Sequence, residues 1–371
     1  MNLKHFFILF LACFAIFSLY LLTDKPINGA DSYAYLGTLH GTMKDFTWTD
    51  SEGFIFQFLP YNILVLKIVL FLLFFASILI ISFWGELFNK EYGWMTGLFT
   101  MLTPVLIGFS TLLENDQFAI PLIFLFGYLV TKAHFEKESR TKSLILASIA
   151  LLMAILLWKG SVLMAIIMLP IELLLLPPII IIGIAFYKRF SEQILSQMHF
   201  FNAVAEQQPL AAFGYIWILW AGAFFLPKIL ILPAIISFVL LLIAVKYSFF
   251  IIPFLAIGFM QCYAKVNQRT RDFLVYLLVV FILVWALWII WQFPSANDLK
   301  AVDYAIAVSK DGNIQNSWDL GWYIKAAGGQ TRFVAGAVKD YNFHGTFLMH
   351  NDENIPCKIV KNFERLTVYN C

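Results

Sequence analysis

The chain has 371 residues, of which 61% are hydrophobic and only 13% are charged. A soluble domain of this length does not need so much apolar surface, so the composition excludes an ordinary soluble enzyme and predicts a membrane protein. The net charge of +2 argues neither for nor against a nucleic-acid partner, and four cysteines are too few for a disulfide framework.

The first apolar run covers residues 6–22 and follows Lys4. Gly29-Ala30 resembles the small-residue site at which a signal peptide is cleaved. The run is long for a signal core, however, and many further runs follow it. We therefore expect a retained signal-anchor helix, followed by an acidic polar stretch at 23–62.

Further apolar runs recur along the chain, and a membrane span needs about 20 such residues. They lie at about 63–85, 94–112, 117–133, 143–158, 209–226, 229–245, 247–264 and 272–293. Two basic links, 132–142 and 265–271, are typical of cytoplasmic loops. Alternation then places the N-terminus in the cytoplasm, and the 23–62 stretch and the Glu114-Asn115-Asp116 link outside.

The run at 161–187 contains Pro177-Pro178 and has two interpretations. It is either one tilted helix, or two short spans or a re-entrant hairpin that turns at the prolines. Only the second puts both basic links on one side, although Lys188 and Arg189 then lie outside. We therefore predict a mostly α polytopic protein with about eleven spans. It divides into a multi-span domain, 1–293, and a small external domain, 294–371.

The polar tail is predicted to be a small α/β module. Strands are expected at 302–308, 332–337, 345–349 and 366–369, and a helix at 320–327 that stops at Gly328-Gly329. Cys357 and Cys371 lie in this tail, so they are expected to pair if the tail is outside.

Four acids fall in links on the predicted outer side: Asp31, Glu114, Asp116 and Glu206. Unpaired carboxylates beside membrane spans are costly, and oxygen ligands suit Mg²⁺ or Mn²⁺, so these acids are candidate metal ligands. Read singly, Asp116 is also a candidate N-cap for a helix that starts at Gln117, and Asp31 a solvated loop acid.

Two lysines and one aromatic cluster complete the candidates. Lys246 and the Lys159 of Trp158-Lys159-Gly160 lie at outer ends of spans, where lysine serves as an interfacial anchor or meets lipid phosphate. The tail carries Ser317-Trp318-Asp319-Leu320-Gly321-Trp322-Tyr323-Ile324. This stretch is either a buried aromatic cluster at a helix start or a surface that stacks on a ligand and accepts a hydrogen bond.

In chain order, the external motifs are Gly29-Ala30-Asp31-Ser32-Tyr33, Glu114-Asn115-Asp116, Ala205-Glu206-Gln207-Gln208-Pro209 and Trp318-Asp319-Leu320-Gly321-Trp322. Together they resemble the catalytic subunit of oligosaccharyltransferase, a membrane glycosyltransferase of the GT-C type. Its motifs are a first-loop Gly-x-Asp, an acidic pair, a fifth-loop Glu followed by Gln-Pro, and Trp-Trp-Asp-Tyr-Gly. The chain departs in having Ser317 for the first Trp, in lacking an arginine between Pro104 and Leu113, and in being shorter.

The resemblance implies transfer of a glycan from a polyisoprenyl diphosphate to asparagine of an Asn-x-Ser/Thr acceptor protein. Asp31, Glu114, Asp116 and Glu206 would hold Mn²⁺ or Mg²⁺, with Asp31, Asp116 and Glu206 catalytic. Trp318 and Asp319 would bind the acceptor, and Lys246 and Lys159 the donor phosphate. The protein would act in the cell membrane with its site on the extracytoplasmic side, among lipids, without nucleic acid and as a single subunit.

Three other interpretations remain open. A GT-C protein O-glycosyltransferase that uses a polyisoprenyl monophosphate sugar would share the first-loop acid but would not need Glu206 or Trp318-Asp319. A transporter of lipid-linked glycans would need polar groups inside its spans, where Glu172 is the main one. A non-catalytic, degenerate homologue would explain Ser317 and the short tail.

Overall fold

The computed structural model describes residues 1–23, 27, 32–33, 36, 59, 62–173, 216–243, 247–291, 294–309, 313–317, 320–331, 345–351 and 355–371. The chain divides into two compact units. The first unit comprises 1–16, 71–110 and 116–286, and the second comprises 17–70, 111–115 and 287–371. The stretches around Asp31, Glu114 and Trp318-Asp319 thus belong to one unit, the second.

Helices dominate the part of the chain before the tail. They are α1 Leu3–Leu22, α2 Ile63–Glu86, α3 Met95–Thr100, α4 Pro104–Phe109, α5 Asn115–Phe135, α6 Arg140–Leu157, α7 Val162–Met168, α8 Lys228–Ile243, α9 Ser248–Lys265 and α10 Gln268–Trp291, with short 3₁₀ helices at Lys137–Ser139, Lys159–Ser161 and Trp217–Phe225.

Six helical segments in the described part of the chain are long and apolar enough to cross a membrane. They contain α1, α2, α5, α6, α9 and α10, and α8 is a shorter apolar helix. The protein is therefore a multi-pass membrane protein. The predicted count of about eleven spans is not confirmed, because residues 174–215 lie outside the described residues.

The predicted run at 94–112 is not one helix. It is divided into α3 and α4, with Thr103 extended at φ −121° and ψ 144° and Pro104 as the first residue of α4. A proline disfavours the helical conformation of the residue before it, and its own missing N–H is harmless at a helix start. Pro104 therefore ends one helix and begins the next, and the prediction of an unbroken span was wrong.

Contacts within the first unit bring the N-terminus and both basic links to one end of the helices. The Met1 amine meets Glu86 at 2.9 Å, and the His5 ring stacks on Trp94 at 4.2 Å. Phe88, in the same turn, packs on Phe135 at 5.4 Å. Arg271 donates to the Tyr92 hydroxyl at 2.8 Å. We call this set the basic end, defined by residues 1–5, 86–94, 132–142 and 265–271. It is the grouping that alternation predicts.

A half-buried ion pair links the start of α6 to the segment that follows α7. The Arg140 guanidinium donates to both carboxylate oxygens of Glu172, at 3.0 and 2.9 Å, and the Glu172 side chain is only 5% exposed. Since α6 leads away from the basic end, the chain has turned back toward it by residue 172. This contact favours the interpretation in which the 161–187 run turns near Pro177-Pro178.

Glycines allow the closest helix contact in the first unit. Gly258 of α9 packs against the backbone of Gly222 in the 3₁₀ helix, and a Cβ on either residue would clash with the facing carbonyl oxygen. Small residues permit such close backbone approach in membrane proteins. Nearly the whole of α9 is consequently buried.

The tail is a small α/β module, as predicted. It contains α11 Ala296–Val308, β1 Asn313–Asn316, α12 Gly321–Ala326, β2 Gln330–Thr331, β3 Thr346–His350, β4 Lys358–Asn362 and β5 Leu366–Asn370. The described strands form a sheet of order β2-β1-β3-β5-β4. Strand β1 is parallel to β2 and β3, whereas β5 is antiparallel to β3 and β4.

One predicted strand, 302–308, is wrong, because these residues belong to α11. Ser295 caps this helix in a reciprocal pair with Asp298: the Ser295 hydroxyl accepts from Asp298 N, and the Asp298 carboxylate from Ser295 N. Its buried residues are Asp298, Ala301, Val302 and Ala305, which is a helical spacing. The capping box was the overlooked signal.

Most other expectations for the tail are confirmed. Strands β3 and β5 lie where strands were predicted, and α12 ends before Gly328, whose φ of 85° suits glycine. Cys357 and Cys371 form a disulfide. Strands β1, β2 and β4 were not predicted, and the expected strand at 332–337 lies outside the described residues.

Candidate functional site

The predicted site residues are only partly described. Glu114 and Asp116 are described in full, and Lys159 only by its backbone. The other predicted site residues lie outside the described residues: Asp31, Glu206, Lys246, Trp318 and Asp319. The chain neighbours of several of these residues are described, and their contacts locate the motifs.

Glu114 and Asp116 stand at the start of α5. Glu114 precedes the helix, and Asp116 lies within its first turn with a side chain that is 2% exposed. Because the helix begins at Asn115, the alternative that Asp116 caps a helix starting at Gln117 is wrong. The partial positive charge at a helix N-terminus favours an acid at this position.

A buried hydrogen bond joins the first loop, residues 23–62, to the link before α5. The backbone N–H of Leu113 donates to the Ser32 hydroxyl at 2.8 Å, and Ser32 is fully buried. Ser32 directly follows Asp31 in the chain, and Leu113 directly precedes Glu114. Two of the predicted motifs therefore meet through their immediate neighbours.

An aromatic contact joins the same loop to the tail. The rings of Tyr33 and Tyr323 are 4.5 Å apart and tilted by 51°. Both tyrosines are buried. Tyr323 lies in α12, which begins two residues after Asp319. The third predicted motif is thus tied, through a near neighbour, to the residue next to Ser32.

The beginning of the first loop is fixed by Lys67 of α2. This lysine is 3% exposed, and its ammonium donates to the carbonyl oxygens of Tyr20 at 2.8 Å and Thr23 at 3.0 Å. These carbonyls belong to the end of α1, whose last turn lacks helical partners. A cation there also suits the helix dipole, so Lys67 stabilises the point from which the first loop departs.

Ser317 explains one departure from the resembled signature. It is 1% exposed, its N–H donates to Leu348 O at 3.2 Å, and its hydroxyl accepts from His350 N at 3.2 Å. Ser317 therefore continues β1 alongside β3 in a space that a tryptophan would overfill. Trp318 and Asp319 follow directly, at the carboxyl end of this parallel strand, where α/β sheets commonly present ligand-binding groups.

A separate aromatic cluster in the first unit is formed by residues that adjoin Lys159 and Lys246 in the chain. The Trp158 ring is 6.4 Å from Tyr247 and 6.1 Å from Phe250, and it covers Gly160, where a Cβ would strike it. Lys159 follows Trp158 in the chain, and Lys246 precedes Tyr247. The fold therefore brings together the immediate neighbours of both lysines.

Among the described residues, no group of three or more His, Cys, Asp or Glu side chains is placed to hold a metal ion. Only two of the four predicted ligands belong to that part of the chain. Their chemistry fits a hard divalent cation, because both offer carboxylate oxygens and Asp116 is buried beside an apolar helix.

Sequence reasoning missed Ser32, Tyr33, Tyr323 and Lys67. Only Lys67 carried a signal, as a lone lysine in an apolar run that needs a polar partner. Ser32, Tyr33 and Tyr323 make contacts between parts of the chain that are far apart in sequence. No local sequence pattern predicts such contacts.

Neither a protein-family model nor a curated protein matches this sequence. Several solved structures are similar to it. The Archaeoglobus fulgidus oligosaccharyltransferase, in complex with Zn and sulfate, aligns over 92% of this chain and 68% of its own length, at 12% identity and a TM-score of 0.57. ArnT from Cupriavidus metallidurans, in the apo state, aligns over 100% and 98% respectively, at 12% identity and a TM-score of 0.53.

At 12% identity the likeness establishes the fold and nothing finer. The chain therefore shares its fold with these two proteins, and the resemblance inferred from its motifs is confirmed at the level of the fold.

Proposed function

We propose that the chain is a membrane glycosyltransferase that moves a glycan from a polyisoprenyl diphosphate carrier to the asparagine of an Asn-x-Ser/Thr acceptor. One observation carries the proposal. The dipeptide Ser32-Tyr33, next to Asp31, contacts both the link before Glu114 and the helix after Trp318-Asp319. Three motifs that are far apart in sequence thus have neighbours in contact, as a shared site requires.

The reaction needs a more nucleophilic acceptor amide and a stabilised leaving group. The bond from the sugar C1 to the diphosphate oxygen breaks with its electron pair on that oxygen, a bond from C1 to the amide nitrogen forms, and the proton that the nitrogen loses passes to Asp31 or Glu206. Asp31 and Glu206 are proposed to accept hydrogen bonds from the amide N–H groups. Holding the nitrogen at the sugar carbon replaces a bimolecular encounter with a positioned one.

The lipid diphosphate is proposed to meet Lys246 and Lys159. The contact between Trp158 and Tyr247 supports this pairing, since each ring directly adjoins one of the lysines in the chain. Ammonium groups at this position would stabilise the negative charge that grows on the leaving diphosphate.

Asp31, Glu114, Asp116 and Glu206 are the proposed ligands of Mn²⁺ or Mg²⁺. Such a cation, when bound, supplies positive charge to the leaving diphosphate. The all-carboxylate donor set and the burial of Asp116 support a hard cation.

The acceptor is proposed to bind at the turn between β1 and α12. Asp319 would accept a hydrogen bond from the acceptor's Ser or Thr hydroxyl, and Trp318 would pack against that residue. The position of Ser317 beside β3, directly after the parallel strand β1, supports this role, because Trp318 and Asp319 are the next two residues of the chain.

The orientation is part of the proposal. The basic end collects the charges that the positive-inside rule assigns to the cytoplasm. The tail follows the far end of α10, so it would lie outside. The disulfide between Cys357 and Cys371 supports that placement, since disulfides persist in oxidising compartments.

The test is transfer in vitro. Full-length protein in nanodiscs is mixed with a lipid-linked glycan extract, Mn²⁺ and a fluorescent Asn-x-Thr peptide, and the product is detected by its retarded mobility. A Gln-x-Thr peptide is the matched control. We expect a glycopeptide only from the asparagine peptide and only with diphosphate donors. Absence of glycopeptide with a donor preparation that another oligosaccharyltransferase can use would refute the proposal.

The second candidate is a GT-C enzyme of a different acceptor class, a protein O-glycosyltransferase with a polyisoprenyl monophosphate sugar as donor. What keeps it open is that the fold likeness does not single out the oligosaccharyltransferase, because the chain also covers 98% of the length of ArnT. Transfer from a monophosphate donor to a hydroxyl acceptor, insensitive to Asp319→Ala, would decide for it.

A further inference from the structure

Ser32 and Tyr33 are adjacent in the chain but are held by different elements of the second unit. Ser32 accepts the hydrogen bond from Leu113 N at 2.8 Å, and Tyr33 packs on Tyr323 at 4.5 Å. Both residues are helical, so their side chains point about 100° apart around the helix axis, and their Cα atoms are about 3.8 Å apart. The dipeptide therefore fixes the link before Glu114 and the helix α12 to one short stretch of the first loop.

We propose that Ser32 and Tyr33 are positioning residues with separate duties. Ser32 fixes the position of Asp31 relative to Glu114 and so governs the affinity for the metal. Tyr33, through Tyr323, sets the first loop against the turn at 318–319 and so governs the affinity for the acceptor. The inference rests on the proposed function and deepens it.

The duty of Ser32 follows from its burial and its partner. Its hydroxyl is the acceptor for a buried backbone N–H, in a link that leads directly into Glu114. Residues that orient metal ligands without touching the metal typically control its affinity by about 10- to 100-fold. We therefore expect Ser32→Ala to weaken Mn²⁺ binding by about tenfold and to leave acceptor binding unchanged.

The duty of Tyr33 follows from its ring contact. Tyr323 is 2% exposed and lies on the helix that starts just after the acceptor motif. Loss of one aromatic pair changes an equilibrium by about two- to tenfold. We therefore expect Tyr33→Leu to weaken acceptor binding by about that factor and to leave Mn²⁺ binding unchanged.

The experiment measures both affinities on purified full-length protein in nanodiscs, without turnover. The loss of the free Mn²⁺ signal in electron paramagnetic resonance gives metal affinity, and the anisotropy of a fluorescent Asn-x-Thr peptide gives acceptor affinity. Ser237→Ala is the control for Ser32, because Ser237 is fully buried and bonds within α8 to Pro233 O. Tyr304→Leu is the control for Tyr33, because its ring packs on Phe363 elsewhere in the tail.

The expected result is a split: Ser32→Ala alters only Mn²⁺ affinity, Tyr33→Leu only peptide affinity, and the controls neither. Equal effects of both variants on both affinities, or no effect, would overturn the inference. If Ser32→Ala does not fold, Ser32→Cys is measured instead, because the thiol retains a weak acceptor. The Mn²⁺ affinity of Ser32→Cys should lie between those of the wild type and a variant without any acceptor. A Mn²⁺ affinity equal to that of the wild type would count against the proposal. Wild-type protein that binds neither probe would instead refute the proposed function itself.

Discussion

At the scale of single residues, the clearest departure from the resembled motifs has a structural cause. Ser317 replaces a tryptophan because its position lies inside the sheet, where its hydroxyl binds His350 N. The residues of the motif that face a ligand in the proposal, Trp318 and Asp319, are retained. Ser317 by itself is therefore no sign of a degenerate protein.

Residue types that carry chemistry could be chosen from the sequence, whereas the groups that hold them could not. The acids were found because carboxylates beside apolar spans demand an explanation. Ser32 is an ordinary serine until its partner, Leu113 N, is seen. Such pairings depend on the folded path of the chain and have no local signature.

Variants at the proposed acceptor site and at the proposed donor site should have different kinetic effects. Asp319→Ala should lower peptide affinity by about ten- to a hundredfold, because a hydrogen bond to a charged group is lost. Lys246→Ala should weaken the lipid-linked donor and leave the peptide unaffected. Steady-state kinetics with each substrate varied in turn makes the measurement.

Asp303→Ala and Lys358→Ala are matched controls for these two variants, since both side chains are exposed in the tail. Identical kinetic defects in Asp319→Ala and Lys246→Ala would show that the two substrates have been assigned to the wrong surfaces.

Asp116→Ala should act on the chemical step. A ligand lost from the proposed metal site weakens the pull on a leaving group whose charge grows in the transition state. We expect kcat at saturating levels of both substrates to fall by about a hundredfold. Glu138→Ala, an exposed acid at the basic end, is the control. Unchanged kcat, or full activity after exhaustive chelation, would contradict the metal assignment.

At the scale of elements, periodicity located the long apolar helices and failed where local chemistry overrides it. The run at 94–112 is apolar throughout, yet Pro104 divides it because a proline excludes a helical residue before it. Residues 302–308 alternate like a strand, yet the capping box at Ser295 commits them to a helix. Both signals were in the sequence, and each is stronger than an apolar pattern of seven to twenty residues.

Removing Arg140 should destabilise the fold more than removing Glu172, its partner in the ion pair. Glu172 is 5% exposed and Arg140 is 46% exposed, so removing Arg140 leaves a buried charge, whereas removing Glu172 leaves an arginine that can reach water. Arg140→Met should destabilise the fold by up to about 3 kcal/mol, and the double Arg140→Met/Glu172→Met variant should regain most of it.

Thermal unfolding in detergent, followed by tryptophan fluorescence, measures these effects. Lys137→Met is the control, because Lys137 is exposed in the same link. A double variant no more stable than Arg140→Met would indicate that Arg140 acts through something other than the buried carboxylate.

At the scale of the whole molecule, the arrangement of charges could be predicted and the number of spans could not be tested. Alternation required the N-terminus and both basic links to lie together, and the contacts of Glu86, Phe88 and Tyr92 provide that. The membership of the second unit could not be foreseen, because it joins 17–70 to the tail across the intervening helices.

Labelling in intact cells should report the proposed orientation. Gln207→Cys and Gly312→Cys should react with a membrane-impermeant maleimide from outside, whereas Glu138→Cys should react only after lysis. Cys357 and Cys371 are protected by their disulfide and serve as an internal reference that becomes reactive on reduction. Protection of both external positions before lysis would reverse the topology.

The pairing of Arg140 with Glu172 also bears on how the chain enters the bilayer during synthesis. Glu172 lies 32 residues after Arg140, so α6 leaves the ribosome first and its counter-charge arrives later. Releasing a charged segment alone into lipid costs about 2.5–3.5 kcal/mol on the scale of translocon insertion. We therefore expect the two segments to leave the translocon together, as one helical hairpin in which Arg140 neutralises Glu172.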